Sequence, residues 1–308
     1  MRILVLGGNG FLGGHVVERL RARPGALVLV GGRSPGADVA VDLASDRPES
    51  LAESLASAAP DAVVNCAGAT GGDAVTLAEA NARGPAVLCA ALREAAPTAR
   101  LVHLGSAAEY GPGVPGTRVM ESAATRPVTP YGATKLAGTV AVATSGLDAV
   151  VLRVGNPVGP GAPSTGLPGR TAALLRAAGA DPEAVLLLGD LSAFRDFVDV
   201  RDVARAAYLA VAAPGPLPRV LNIGAGQAVS VRDLVRGLAR AAGFRGRMEE
   251  DTGGSARSAE VSWQCSDITA ADEALGWRPS HTLDDALAAL WAATAEGSSP
   301  RPEGERVP

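Results

Sequence analysis

An α/β fold built on a doubly wound parallel sheet is the class this sequence predicts, and three observations carry the prediction. Short apolar, strand-sized runs alternate with helical patterns along most of the 308 residues. A glycine-rich turn joins the first of these runs to the first helix. A later run, Leu101-Val102-His103-Leu104, ends in a small-residue turn that carries a serine. Open parallel sheets collect their ligands at such strand ends. The length suffices for a large core and one or two domains. The hydrophobic fraction is 47% but the aromatic fraction only 3%, so that core must rest on Ala, Val and Leu.

The first strand is Arg2 to Leu6. Gly7-Gly8-Asn9-Gly10-Phe11-Leu12-Gly13-Gly14 follows, and then a helical pattern through Val16, Val17 and Leu20. Strand, glycine turn, helix is the context that makes a dinucleotide site credible. Gly7 permits the tight turn, Gly10 lets the backbone approach a pyrophosphate, and Gly13 lets helix and strand pack closely. Phe11 and Leu12 open the helix, whose free N–H groups and positive dipole end suit phosphate. The spacing Gly7, Gly10, Gly13 differs from GxGxxG. The architecture expected is therefore Rossmann-like.

The second strand reads as Ala26 to Val30, followed by Gly31, Gly32 and Arg33. An NAD site usually ends this strand with an acidic residue on the ribose 2′-OH. Here glycines stand at that place, and Arg33 can pair with a 2′-phosphate. NADP(H) is favoured, and NAD(H) remains possible.

Tyr131 and Lys135 come next. Of the 28 Lys and Arg residues, Lys135 is the one lysine. An ammonium is a compact point charge, which a guanidinium is not. Thr129 is a good N-cap and Pro130 a good first helical residue. Four residues apart on that helix, Tyr131 and Lys135 share a face. A fixed ammonium favours the phenolate and makes Tyr131 an acid/base candidate. The plainer reading is a surface lysine beside a core tyrosine. Ser106, at the end of the Leu101 run, is placed to hydrogen-bond a substrate oxygen, or simply to cap its turn.

These features together resemble the extended short-chain dehydrogenase/reductase family, the sugar-nucleotide epimerases, dehydratases and reductases. The resemblance runs through most of the chain. Asp61 to Gly68, with Ala67 at its cofactor end, looks like the fourth strand. Asn81, Arg153 to Gly161, Arg195 to Ala204, Leu221 to Gly226 and Leu275 to Pro279 match later landmarks. The resemblance implies that Tyr131 moves the hydroxyl proton, Lys135 holds the phenolate and the cofactor ribose, and Ser106 binds the reacting oxygen. It implies that Asp42 and Leu43 border the adenine, and that Asn156, Arg195 and Arg257 contact the substrate sugar or diphosphate. A salt bridge from Arg195 to Asp196 or Asp199 is the plainer alternative, and a solvated loop residue is the alternative for Arg257. Trp277 is expected as a core anchor.

The implied dinucleotide-binding part covers 1–155 and 194–212. A smaller, discontinuous substrate-binding part covers 156–191 and 221–293. The tail, 296–308, is rich in Pro, Gly, Ser and charge and is expected to be disordered.

Two alanines, Ala107 and Ala108, follow Ser106, where the family's dehydratases carry Asp-Glu. Alanine moves no proton, and Glu109 is expected to point elsewhere. A ketoreductase acting on a nucleotide-linked 4-ketosugar is the reading favoured. A 4-epimerase with retained NAD(P)+ needs the same three residues. A ketoreductase on a non-sugar metabolite and a non-catalytic dinucleotide-binding protein complete the alternatives.

The exclusions are physical. A net charge of −4 leaves no basic footprint for nucleic acid. No run approaches the ~18 apolar residues of a membrane span. Cys66, Cys89 and Cys265 lack metal-ligand spacing, and reduced cysteines point to the cytoplasm. The resemblance also implies a homodimer through a helix pair that includes the Tyr131 helix.

Overall fold

Seven parallel strands run through the centre of the structure, a computed structural model that describes residues 1–250 and 261–296. β1 (Arg2–Leu6) leads through α1 (Phe11–Arg21) to β2 (Leu27–Gly32), β3 (Val39–Ala40) and α2 (Pro48–Ala58). β4 (Ala62–Asn65) leads through α3 (Ala74–Ala78), a π-helical turn (Glu79–Arg83) and α4 (Gly84–Ala95) to β5 (Arg100–Ser106). A 3-10 turn (Ala107–Tyr110), a long loop and α5 (Pro130–Ala143) return the chain to β6 (Ala149–Val154).

The second half is more broken. It runs β7 (Asn156–Val158), α6 (Leu167–Ala178), β8 (Val185–Leu188), β9 (Phe194–Asp199), α7 (Val200–Ala212) and β10 (Val220–Ile223). It closes with β11 (Ala228–Ser230), α8 (Val231–Ala241), β12 (Arg247–Glu250), α9 (Thr269–Leu275) and α10 (Leu283–Glu296).

The central order is β10-β6-β5-β4-β1-β2-β3. Strand order reverses between β1 and β4, and ligand crevices form at such a switch point. Both faces are covered, so the strands are nearly continuous apolar runs. Ile3, Leu4, Val5, Val63, Val64, Leu101, Val102 and Leu152 are all fully buried. One face packs on α1, α7 and α9 through Val16, Leu20, Ala206, Ala210 and Trp277. The other packs on α2, α4 and α5 through Leu55, Leu88, Leu92 and Val142. Among the described residues, the buried aromatic side chains are Tyr110, Phe197 and Trp277. Trp277 donates its Nε1–H to the Asp202 carbonyl at 3.0 Å, as a core anchor should. No helix among the described residues is long and apolar enough to cross a membrane.

A third core, built from Val158, Leu175, Leu186, Phe197, Leu234, Leu238 and Leu290, holds the smaller part together. Its strands form a three-stranded sheet, β11-β9-β7, and a two-stranded one, β12-β8.

Two expected boundaries need correction. β10 pairs with β6 in the large sheet, Leu221 opposite Leu152, although 221 onward was expected in the smaller part. β9 pairs in the three-stranded sheet, although 194–212 was expected with the large one; α7 and the Val198 side chain of β9 pack on the large sheet's core. A four-residue apolar run carries no mark of the sheet it will join. β2 also extends two residues beyond its expected end. Gly31 pairs opposite Leu6, and a Cβ at Gly31 would lie 2.6 Å from the Leu6 side chain. Gly31, which weakens the strand signal, thus leaves room for the Leu6 side chain, while a Cβ at Gly32 would meet nothing. Arg257 lies outside the described residues, as does the tail from 297 on.

Candidate active site

The glycine turn is built backbone against backbone. Gly7 has φ +74°, a conformation that costs glycine least. A Cβ there would lie 2.8 Å from the Ala67 amide nitrogen, so the ends of β1 and β4 nearly touch. A Cβ at Gly13 would lie 2.0 Å from the Gly7 carbonyl oxygen. Gly10 donates to that same oxygen at 3.0 Å and caps α1 with no side-chain bond to the helix N–H groups. The first turn, with Phe11 and Leu12, therefore offers its N–H groups at the switch point. The chain's own residues fit a dinucleotide pyrophosphate here, because the first turn of α1 has no side-chain cap and carries no acidic residue.

The other predicted cofactor residues lie along the same sheet edge. Arg33 is exposed directly after β2. Asp42 closes a tight turn, its Oδ1 accepting from the Ala44 N–H at 3.1 Å. Leu43 is buried beneath it. Ala67 donates to Asn65 Oδ1 at 3.0 Å. That bond orients the Asn65 amide, whose Nδ2 donates to His103 Nδ1 at 3.1 Å. The His103 proton therefore sits on Nε2. Burial, and then the nearby Lys135 charge, hold this histidine well below its usual pKa.

Ser106, Tyr131 and Lys135 belong to two elements that pack together. Ser106 ends β5, nearly buried, and its Oγ accepts from the Ala108 N–H at 3.2 Å. Thr129 caps α5 by accepting from the Gly132 N–H at 3.2 Å, with Pro130 in the first turn, as expected. Gly132 sits so close to the Ala108 carbonyl that a Cβ would lie 2.6 Å away. One turn on, Lys135 donates from Nζ to the Leu104 carbonyl at 2.6 Å. The start of α5, half-buried Tyr131 included, therefore lies against the end of β5 and its turn. Lys135 is buried, not a surface lysine. Burial lowers its pKa, while the Glu109 carboxylate, the larger opposing influence, pulls it back up. Cys66 itself is pushed up to about 12 by burial, against the pull of Lys135.

Glu109 is fully buried. Its Oε1 accepts from the Ser106 N–H at 2.8 Å and the Thr139 hydroxyl at 2.9 Å. Its Oε2 pairs with Arg153 Nε at 2.7 Å. The side chain points into the protein, as expected, though on a 3-10 turn and not a strand. Sequence reasoning missed the Glu109–Arg153 pair. The available signal was Arg153 itself, a charge inside the apolar run Val150-Val151-Leu152-Arg153-Val154 that demands a counter-ion.

On the substrate side, Asn156 Nδ2 donates to Gln264 Oε1 at 2.9 Å and to the Asp196 carbonyl at 3.3 Å. Arg195 lies nearly buried on the neighbouring strand and donates to the Phe194 carbonyl at 2.8 Å. Its sequence neighbours are otherwise engaged. Asp199 pairs with Arg201 at 2.6 Å, and Asp196 accepts the amides of Ala225 at 2.6 Å and Ser266 at 2.9 Å.

The model of the NAD dependent epimerase/dehydratase family matches residues 3–224. The chain belongs to that family. It is an enzyme of the extended short-chain dehydrogenase/reductase type. It is 40% identical over 311 residues to the dTDP-6-deoxy-L-talose 4-dehydrogenase (NAD(P)(+)) of Kitasatospora kifunensis, covering 97% of this chain and 96% of the relative. Among solved structures it is similar to RMD from Pseudomonas aeruginosa complexed with NADPH. The TM-score is 0.82 at 25% identity, over 96% of this chain and 99% of that one. It is also similar to the UDP-glucose 4-epimerase of Thermotoga maritima with UDP-glucose. There the TM-score is 0.84 at 25% identity, over 97% of this chain and 100% of that one.

Proposed function

We propose that this family member is an NADPH-dependent 4-ketoreductase of a dTDP-linked 6-deoxysugar. The ketosugar, NADPH and a proton give the 4-hydroxy sugar and NADP+. One observation carries the choice of plain hydride transfer. The turn after Ser106 holds no free acid or base, because Ala107 and Ala108 move no proton and Glu109 is locked by Arg153, Thr139 and the Ser106 amide. Similarity to the Kitasatospora dehydrogenase, whose name states the same oxidation level change at C4, supplies the sugar and the nucleotide.

The bound nicotinamide supplies the hydride. The Ser106 hydroxyl holds the C4 oxygen, and the Tyr131 phenol gives it the proton. The Lys135 ammonium steadies the developing phenolate and reaches the cofactor ribose. Gly7, Gly10, Phe11, Leu12 and Gly13 would hold the pyrophosphate, and Asp42, Leu43 and Ala67 would hold the rest of the dinucleotide. Arg33, with no carboxylate at Gly31 or Gly32, supports NADP(H) over NAD(H). Asn156, Arg195 and Arg257 take the sugar diphosphate, in the smaller part. The outward face of α5 is small and uncharged, with Ala133, Ala137 and Val140 exposed, and α4 exposes Ala86 beside the charged Arg93 and Glu94; the α5 face supports a homodimer through this helix pair. Three free cysteines support a reducing, cytoplasmic setting.

A second reading, a 4-epimerase, draws on the likeness to the Thermotoga enzyme. One experiment separates the two. The protein is mixed with a dTDP-4-keto-6-deoxyhexose and NADPH, and both nucleotide and sugar are followed. The reductase consumes one NADPH per product, which is two hydrogens heavier. Tyr131→Phe lowers turnover about 10²–10⁴-fold and leaves NADPH binding intact. No net NADPH consumption, tightly held NAD(P)+ and interconversion of C4 epimers would put the epimerase in its place.

A further inference from the structure

Glu109 does more than stay out of the chemistry. Its carboxylate touches both elements that carry the active site and a third beside them. Oε1 takes the Ser106 N–H at the end of β5 and the Thr139 hydroxyl of α5, one turn after Lys135. Oε2 takes Arg153 of β6. The space is made by Gly105, where a Cβ would lie 2.8 Å from Glu109 Oε1 and 2.7 Å from the Val151 side chain.

A buried ion pair adds little to stability over a well-packed apolar pair, so stability alone gives weak reason for this one. Its neighbours suggest another. The titrating groups that interact with Lys135 are Glu109 from the turn after β5, Cys66 just after β4 and His103 of β5. Cys66 is held as the neutral thiol and His103 as the neutral imidazole. The π-helical turn packed on α5 adds no charge. It presents Asn81 to Thr134, while Glu79 is exposed and Arg83 is spent on the carbonyls of Leu43, Ala44 and Asp46. Among the described residues, Glu109 is thus the one carboxylate that interacts with Lys135, with Arg153 and Tyr110 beyond it.

We propose that Glu109 is a positioning residue of the active site, whose buried carboxylate ties the Ser106 strand end to helix α5 and keeps Lys135 an ammonium. Glu109 touches neither substrate nor cofactor. It acts through Ser106 and Lys135. The role in turnover rests on the hydride-transfer reading; the effect on Lys135 does not.

The sign follows from charge alone. An anion beside a titrating group favours its protonated form, so removing the anion lets Lys135 lose its proton at lower pH. Lys135 is the chain's one lysine, so isotope-labelled lysine gives a single side-chain NMR signal that titrates it directly, without substrate. In Glu109→Gln the midpoint should fall by about one pH unit. The alkaline limb of ketone reduction should fall with it. Glu109→Asp keeps the charge, so its midpoint should stay near that of the wild type even where the melting temperature drops. A purely structural role would lower melting temperature and turnover in both variants and leave the midpoint in place. An unmoved midpoint in Glu109→Gln overturns the proposal and leaves the reductase reading standing. A shifted midpoint in a protein that never oxidises NADPH sustains the proposal and overturns only that reading. Should Arg153, left without its partner, prevent Glu109→Gln from folding, Glu109→Gln/Arg153→Met is titrated instead. The lost Arg153 charge, lying beyond Glu109, offsets part of the fall, so Arg153→Met is titrated beside it, and a double-variant midpoint no lower than that of Arg153→Met overturns the proposal.

Discussion

The large sheet and the three-stranded sheet solve the problem of placing a site in different ways. In the large sheet, strands are contiguous apolar runs, all parallel, and the turn that receives the phosphates is shaped by backbones in contact. The three-stranded sheet is assembled from 156–158, 194–199 and 228–230, with one parallel and one antiparallel pairing. Buried polar groups fasten it. Asn156 bonds Gln264, and the Asp196 carboxylate holds the amides of Ala225 and Ser266. The first kind of site tolerates no added atom. The second tolerates no lost hydrogen bond, because each buried polar group left alone costs its desolvation.

The sharpest way to break this contrast is Gly13→Ala. The new methyl would meet the Gly7 carbonyl oxygen, which is backbone and cannot turn aside. Overpacking costs about 1–3 kcal/mol in ordinary cores, and the upper end is expected here. Charged against nucleotide binding, ~3 kcal/mol is roughly a hundredfold in affinity. Calorimetric titration with NADPH measures it, and unchanged binding would refute the close-contact account.

Asp196→Asn probes the other sheet, with a smaller effect. Burial pushes this carboxyl up to about 6, against the pull of its amide donors. The unfolded carboxyl titrates near ~4, so the folded chain holds the proton longer. Its contribution is present at acid pH and is lost as pH rises from roughly 4 through about 6, on the order of 2 kcal/mol in all. His103 drives the opposite trend, but equally in both proteins. Melting curves across that window should fall less steeply for the variant than for the wild type. Equal slopes would mean that Asp196 does not titrate in the fold.

Thr129→Ala, at the start of a helix packed on the large sheet, is the mildest. Losing the cap on Gly132 costs about 1 kcal/mol, with a melting temperature a few degrees lower. A larger loss of turnover than of stability would show that the cap also aims Tyr131.

Much of this molecule was determined locally and was legible as such. The alternation of strand and helix, the Gly7–Gly13 turn, the Thr129-Pro130 helix start and the Tyr131/Lys135 spacing all rest on signals within a few residues. Steric freedom, capping and helical period act over that range. Tertiary structure alone decided which sheet took β9 and β10, because short apolar runs look alike until a neighbour is chosen. It alone buried Lys135. It alone brought Arg153 to Glu109, 44 residues away in the chain. A lone arginine in an apolar strand announces that a counter-charge must exist, but the partner's identity depends on which backbones meet. That is a property of the folded chain and of no segment within it.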